Sequence, residues 1–202
     1  MAIRPGDNVL VCCPSFTGDE PRVCLDLLTP DGSTDVYALS VLFTKSPGEY
    51  VDTWQRLAGA YPTRMRIVTV DASAPSKGSQ GGGADAPDDP GGEGDTDRAV
   101  ERVNSPHNLT RLGVRVTGCL DEWDDAPETV AVCFQSLTTL LQYVDVDNAV
   151  GFLDAVTDRC AATDAVAHYH IDPKAHDEQT IAKLSAVFDT VLEFDDGEWT
   201  AR

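Results

Sequence analysis

Two stretches of this chain carry residue types whose spacing could do chemistry. The first is HYHIDPKAHD, over residues 168–177. His168 and His170 are two apart, so on a strand both imidazoles project to one side. His176 or Asp172 could complete a metal-binding set with them, because imidazole and carboxylate are ordinary zinc ligands. The plainer expectation is a strand end at which His168, His170 and His176 hydrogen-bond backbone and carboxylate groups, with no metal held. The second stretch is NVLVCCPSFTGDEPRVCLDLL, residues 8–28. An apolar run, a short turn and a helical pattern follow one another there, in the outline of a strand, phosphate-binding loop and helix.

A loop of the form GxxxxGK[ST] holds phosphate through converging backbone N–H groups, a lysine that neutralises charge and a hydroxyl that anchors magnesium. In this chain Cys13 stands at the first glycine, and Pro14, Ser15, Phe16 and Thr17 span the positions between. Gly18 keeps the second glycine, but Asp19 replaces the lysine and Glu20 the hydroxyl residue. At ~4 Å and an effective dielectric of about 20, each like-charge contact with a phosphate costs on the order of 4 kcal/mol. Asp19 and Glu20 suit instead the first turn of a helix, where carboxylates complement the dipole. The turn is therefore expected to be closed or filled by side chains, with no nucleotide and no other cofactor. Ser15 lies in no GxSxG elbow and no Ser, His, Asp order stands out, which argues against a hydrolase.

Charge narrows the partners. Asp and Glu number 34 against 15 Lys and Arg, for a net charge of −19, and only four of the basic residues are lysines. Such a surface repels DNA and anionic membranes, and Arg64 and Arg66 are too few to make a nucleic-acid patch. Many aspartates, few lysines and a low pI resemble cytoplasmic proteins of salt-loving archaea, in which salt screens self-repulsion. Pro5-Gly6-Asp7 interrupts the amino terminus, so no signal peptide is expected, and no apolar stretch approaches the ~20 residues of a membrane span. The six cysteines, at 12, 13, 24, 119, 133 and 160, form no CxxC pair and sit in apolar runs. They read as buried, reduced thiols of a cytoplasmic protein, outside any disulfide or zinc site.

The elements that must position these residues alternate. Apolar runs predict strands at 8–13, 36–43, 65–70, 129–134 and 165–171, and a hairpin of 187–194 with 198–201 around Asp195-Asp196-Gly197. Helical periodicity predicts helices from Glu20, from Ser46-Pro47, over 109–123, over 147–162 and over 178–186. Residues 72–97 hold nothing apolar larger than alanine, seven glycines, three prolines and six acids. They are expected to be a disordered loop within one domain spanning 1–202. This alternation predicts an α/β three-layer sandwich with a mostly parallel sheet.

Four segments together resemble the RecA-like ATPases, in particular the KaiC-type branch and its short haloarchaeal members. They are residues 8–28, VLFTKSPGEY at 41–50, AVCFQSLTTLL at 131–141, and FDTVLEF at 188–194. The resemblance implies strand order 3-2-4-5-1-6-7 and self-association through RecA-type edges. It also implies where catalytic groups would stand. Thr44 and Lys45 occupy the positions of the family's water-activating glutamates, and Gln135, followed by Ser136, that of its magnesium-associated aspartate. None is a carboxylate, and an amide is a poor ligand for a hard cation. With phosphate neutralisation, magnesium anchoring and water activation all missing, the resemblance implies a non-catalytic pseudo-ATPase that serves as a binding or regulatory module with a protein partner. A weak nucleotide binder with an atypical loop is the alternative, and a metal protein built on His168 and His170 is another.

Overall fold

In the computed structural model, which describes residues 3–14, 20–29, 32–71, 98–195 and 198–202, all the apolar runs become strands of a single sheet. In chain order the elements are β1 (Asn8–Cys12), α1 (Glu20–Leu28), β2 (Val36–Leu42), α2 (Pro47–Ala58), β3 (Arg64–Val70) and β4 (Arg98–Val103). There follow α3 (Leu109–Glu122), β5 (Thr129–Gln135), α4 (Leu137–Leu140), α5 (Val146–Ala162) and β6 (Val166–Ile171). A 3-10 turn at Pro173–Ala175, α6 (Glu178–Ser185), β7 (Thr190–Asp195) and β8 (Glu198–Ala201) complete the described chain.

The sheet has eight strands in the order β4-β3-β2-β5-β6-β1-β7-β8. All neighbours pair in parallel except β7 and β8, which form an antiparallel hairpin. Without β4 this is the expected order, in which the opening strand lies well inside the sheet. The correction is β4 itself, an edge strand that the apolar pattern does not announce. Its sequence, RAVERV, is half charged, and it bonds to a neighbour, β3, along one side only. An edge strand need bury only part of itself, and charged residues there discourage pairing with other chains. The stretch 72–97 lies outside the described residues, as does the hairpin tip at 196–197.

The interior strands are buried along their length, every residue of β1 and β6 included, as parallel strands covered on both faces must be. Residue parity then decides which layer each side chain joins. Val132, Phe134, Tyr169 and Ile171 pack into a core with Leu112, Val116 and Leu120 of α3 and Leu153 and Val156 of α5. Ala131 and Cys133 face the opposite layer with Cys24, Leu25 and Leu28 of α1 and Tyr50 and Trp54 of α2. Helix α2 starts from Ser46, whose hydroxyl accepts from the Glu49 amide while the Glu49 carboxylate accepts from the Ser46 amide, a reciprocal cap. It ends at Gly59, which takes a left-handed φ of 73°. Among the described residues no helix is long and apolar enough to cross a membrane.

Candidate functional site

The carboxyl ends of parallel strands are where open α/β sheets place their ligands. Here the ends of β1, β2, β5 and β6 border a cleft of about 570 Å³. Its walls include Cys13, Glu20, Thr44, Lys45, Gln135, Ser136, Thr138, His170 and Asp172. Strand pairing continues past the regular elements to hold this rim in place. The Cys13 amide donates to the Ile171 carbonyl at 3.0 Å, and the Phe43 amide to the Gln135 carbonyl at 3.1 Å. The fold thus gathers, from four separate chain segments, every site residue expected from the sequence that lies among the described residues, Pro14, His168 and His176 excepted. Ser15, Phe16, Thr17, Gly18 and Asp19 lie outside the described residues.

Inside the cleft the first residue of α1 takes a central place. Glu20 Oε1 accepts a hydrogen bond from Gln135 Nε2 at 3.0 Å and lies 3.5 Å from His170 Nδ1. Gln135 is buried, so its amide is ordered by the carboxylate in front of it. Ser136, joined to Gln135 by a cis peptide, caps the short α4 by accepting from the Thr139 amide at 3.3 Å. Thr138 accepts from the Asp172 amide at 2.8 Å and lies 3.3 Å from His176 Nε2. Both hydroxyls are thus engaged by backbone amides. Lys45 is the only lysine or arginine in the cleft wall among the described residues, and Glu20 and Asp172 share that wall.

Directly beneath, on the α1 side of the sheet, four ligand-type side chains converge. Cys24 of α1, Cys133 of β5, and His168 and His170 of β6 each offer a donor atom, and all four atoms lie within 4.8 Å of one another. Register and parity produce this. Cys133 and His168 are directly paired across β5 and β6, and His170 stands two residues further along the same face. Helix α1 then lowers Cys24 onto them. The Cys24 and Cys133 sulfurs are 3.2 Å apart, and His168 Nε2 is 3.3 Å from Cys24 Sγ. The two imidazoles meet edge to face at 5.1 Å. All four residues are buried, and neither His170 nitrogen nor His168 Nδ1 has a hydrogen-bond partner among the described residues. A hydrogen bond from Cys133 and the neighbouring histidines hold the Cys24 thiol well below its ordinary pKa, whereas burial pushes Cys133 well above it. Burial lowers the His168 pKa, keeping the ring neutral.

The structure thus corrects the expected company of His168 and His170. His168 meets the Cys24 sulfur, not a carboxylate or a backbone group, while His170 keeps one carboxylate neighbour in Glu20, and neither His176 nor Asp172 completes their set. The Asp172 carboxylate instead accepts from the Lys174 amide, and His176 turns to Thr138. The partners are two cysteines that spacing rules pass over, because Cys24 and Cys133 are 109 residues apart. All six cysteines are free and buried, as expected, but these two are not ordinary core thiols.

By architecture, then, the molecule is a mixed α/β protein with helices on both faces of a mostly parallel sheet. The chain belongs to the family of unknown function DUF7504, whose model matches residues 6–194. No curated protein matches it. Among solved structures it is similar to PH0250 from Pyrococcus horikoshii OT3, with a TM-score of 0.57 and 14% identity over 99% of this chain and 87% of that one. At that identity the likeness speaks for the fold alone.

Proposed function

We propose that this chain is a non-catalytic module of RecA/KaiC type that works by binding a protein partner, not by turning over a nucleotide. One observation carries the reading. Glu20 stands where a phosphate loop would place its magnesium-binding hydroxyl, and its carboxylate is lodged in the strand-end cleft against Gln135 and His170. An anionic side chain held in that place repels a triphosphate. Its partner Gln135 occupies the metal-associated position of the segment 131–141 and supplies a neutral amide. Thr44 and Lys45, at the rim of the same cleft, offer no carboxylate base for activating water.

The acidic surface supports a cytoplasmic, high-salt setting and a protein partner in preference to nucleic acid or membrane. Self-association would use RecA-type edges of the domain other than β4, whose charged residues discourage pairing. Isothermal titration of the full chain with ATP and Mg²⁺ in molar KCl tests the reading. No binding heat is expected, and micromolar binding or ATP hydrolysis would overturn it in favour of a nucleotide-binding protein with an atypical loop.

A further inference from the structure

We propose that Cys24, Cys133, His168 and His170 form a closed, tetrahedral Zn²⁺ site that clamps α1 to β5 and β6. The donor set is two thiols and two imidazoles, the soft tetrahedral combination that favours zinc among common divalent ions. Four protein donors leave no open position for water or substrate, which marks a structural centre and not a catalytic one. The proposal stands apart from the proposed function, since neither a nucleotide nor a partner enters it.

Distances fit with small adjustment. In a tetrahedral centre with Zn–S of about 2.3 Å and Zn–N of about 2.0–2.1 Å, sulfurs stand about 3.8 Å apart and sulfur and nitrogen about 3.6 Å. The Cys24–Cys133 and Cys24–His168 separations of 3.2 and 3.3 Å need to open by a few tenths of an ångström. A void of about 30 Å³ bordered by Cys24, Leu25, Tyr50 and Trp54 gives α1 room to yield. The sulfur separation is also far beyond the ~2.05 Å of a disulfide.

Charge and hydrogen bonding fit as well. On binding, each thiol gives up its proton to solvent, so a dication with two thiolates and two neutral imidazoles makes a centre of zero net charge. That is the form of ion that a buried site tolerates. With His170 Nδ1 facing Glu20, Nε2 is left for the ion. Glu20 then acts as the outer carboxylate that orients a metal-bound histidine. His170 Nε2, buried with no hydrogen-bond partner among the described residues, acquires through the ion the partner that a buried polar group requires.

The test uses the full chain, purified under reducing conditions, with Zn²⁺ and Co²⁺ as probes. Elemental analysis should find one zinc per chain. Cobalt should bind with equal stoichiometry, showing tetrahedral d–d bands and thiolate-to-cobalt charge transfer that zinc abolishes. Cys24→Ser and Cys133→Ser should each weaken or remove the charge-transfer band, and His176→Ala should leave it intact. Glu20→Gln should weaken zinc by roughly 10–100-fold in a chelator competition. If the serine variants do not fold, the wild-type cobalt spectrum decides alone. Folded, reduced protein that takes up no cobalt overturns the proposal. So does full metal binding by a Cys24→Ser/Cys133→Ser double variant, or a Cys24–Cys133 disulfide in a chain that stays metal-free after reduction.

Discussion

Replacing Glu20 by alanine tests the centre of the cleft most directly. The carboxylate accepts from Gln135 Nε2 at 3.0 Å, and its side chain is 24% exposed, whereas Gln135 is buried. Hydrogen bonds to charged groups contribute roughly 1.5–3 kcal/mol, and leaving a buried partner unpaired carries the penalty of that group's desolvation. Partial solvent access at Glu20 places the expected loss in the lower half of this range, about 1.5–2 kcal/mol. For a protein of this size that corresponds to a fall in Tm of roughly 3–8 °C. Glu20→Gln keeps an acceptor for Gln135 and should lose less, about 0.5–1 kcal/mol. Urea denaturation in one metal-free, reducing, high-salt buffer measures both, and a cycle with Gln135→Ala should show a coupling of about 1 kcal/mol. An alanine variant within about 0.3 kcal/mol of the parent, with no coupling to Gln135, would refute the lodged carboxylate. The proposed function would lose its carrying observation with it.

Three further outcomes follow from the packing and charge. Phe134 is fully buried against Phe43, Phe152 and Tyr169, so Phe134→Ala should cost about 3–5 kcal/mol in denaturant unfolding. Tyr169 donates to Asn8 Oδ1 at 3.3 Å in the buried seam between β6 and β1, so Tyr169→Phe should cost about 1–2 kcal/mol, and a neutral result would mean that Asn8 finds another donor. The Arg66 guanidinium holds the Glu122 carboxyl below its ordinary range through contacts at 2.7 and 3.1 Å. A depressed carboxylate contributes stability above its unfolded pKa and loses it as pH falls through the folded value. Glu122→Gln should therefore destabilise at pH 7, by less than about 1 kcal/mol because the carboxylate is half exposed, and the difference should vanish in acid.

Much of this molecule is written locally. Continuous apolar runs bounded by Pro, Gly and Asp mark strands buried on both faces, and the period of the helices marks their inward stripes. Alternation of the two dictates a layered α/β arrangement whatever the partner. The expectation that the turn lacks phosphate-binding chemistry is also local, because Asp19 and Glu20 are read directly against the turn between a strand and a helix. β4 could not be read this way. RAVERV has neither the apolar run nor the amphipathic period of a buried element, and β3 beside it is what makes it a strand.

The same limit applies more sharply to the buried cluster. The sequence alone places His168 and His170 on one face of a strand, since parity needs no partner. That their companions are Cys24 and Cys133, and not His176 or Asp172, depends on two long-range facts. One is the register that sets Cys133 beside His168, and the other is the crossing of α1 over β5 and β6. Cys24 and His168 are 144 residues apart along the chain, and only the packing of α1 on the assembled sheet brings them to 3.3 Å.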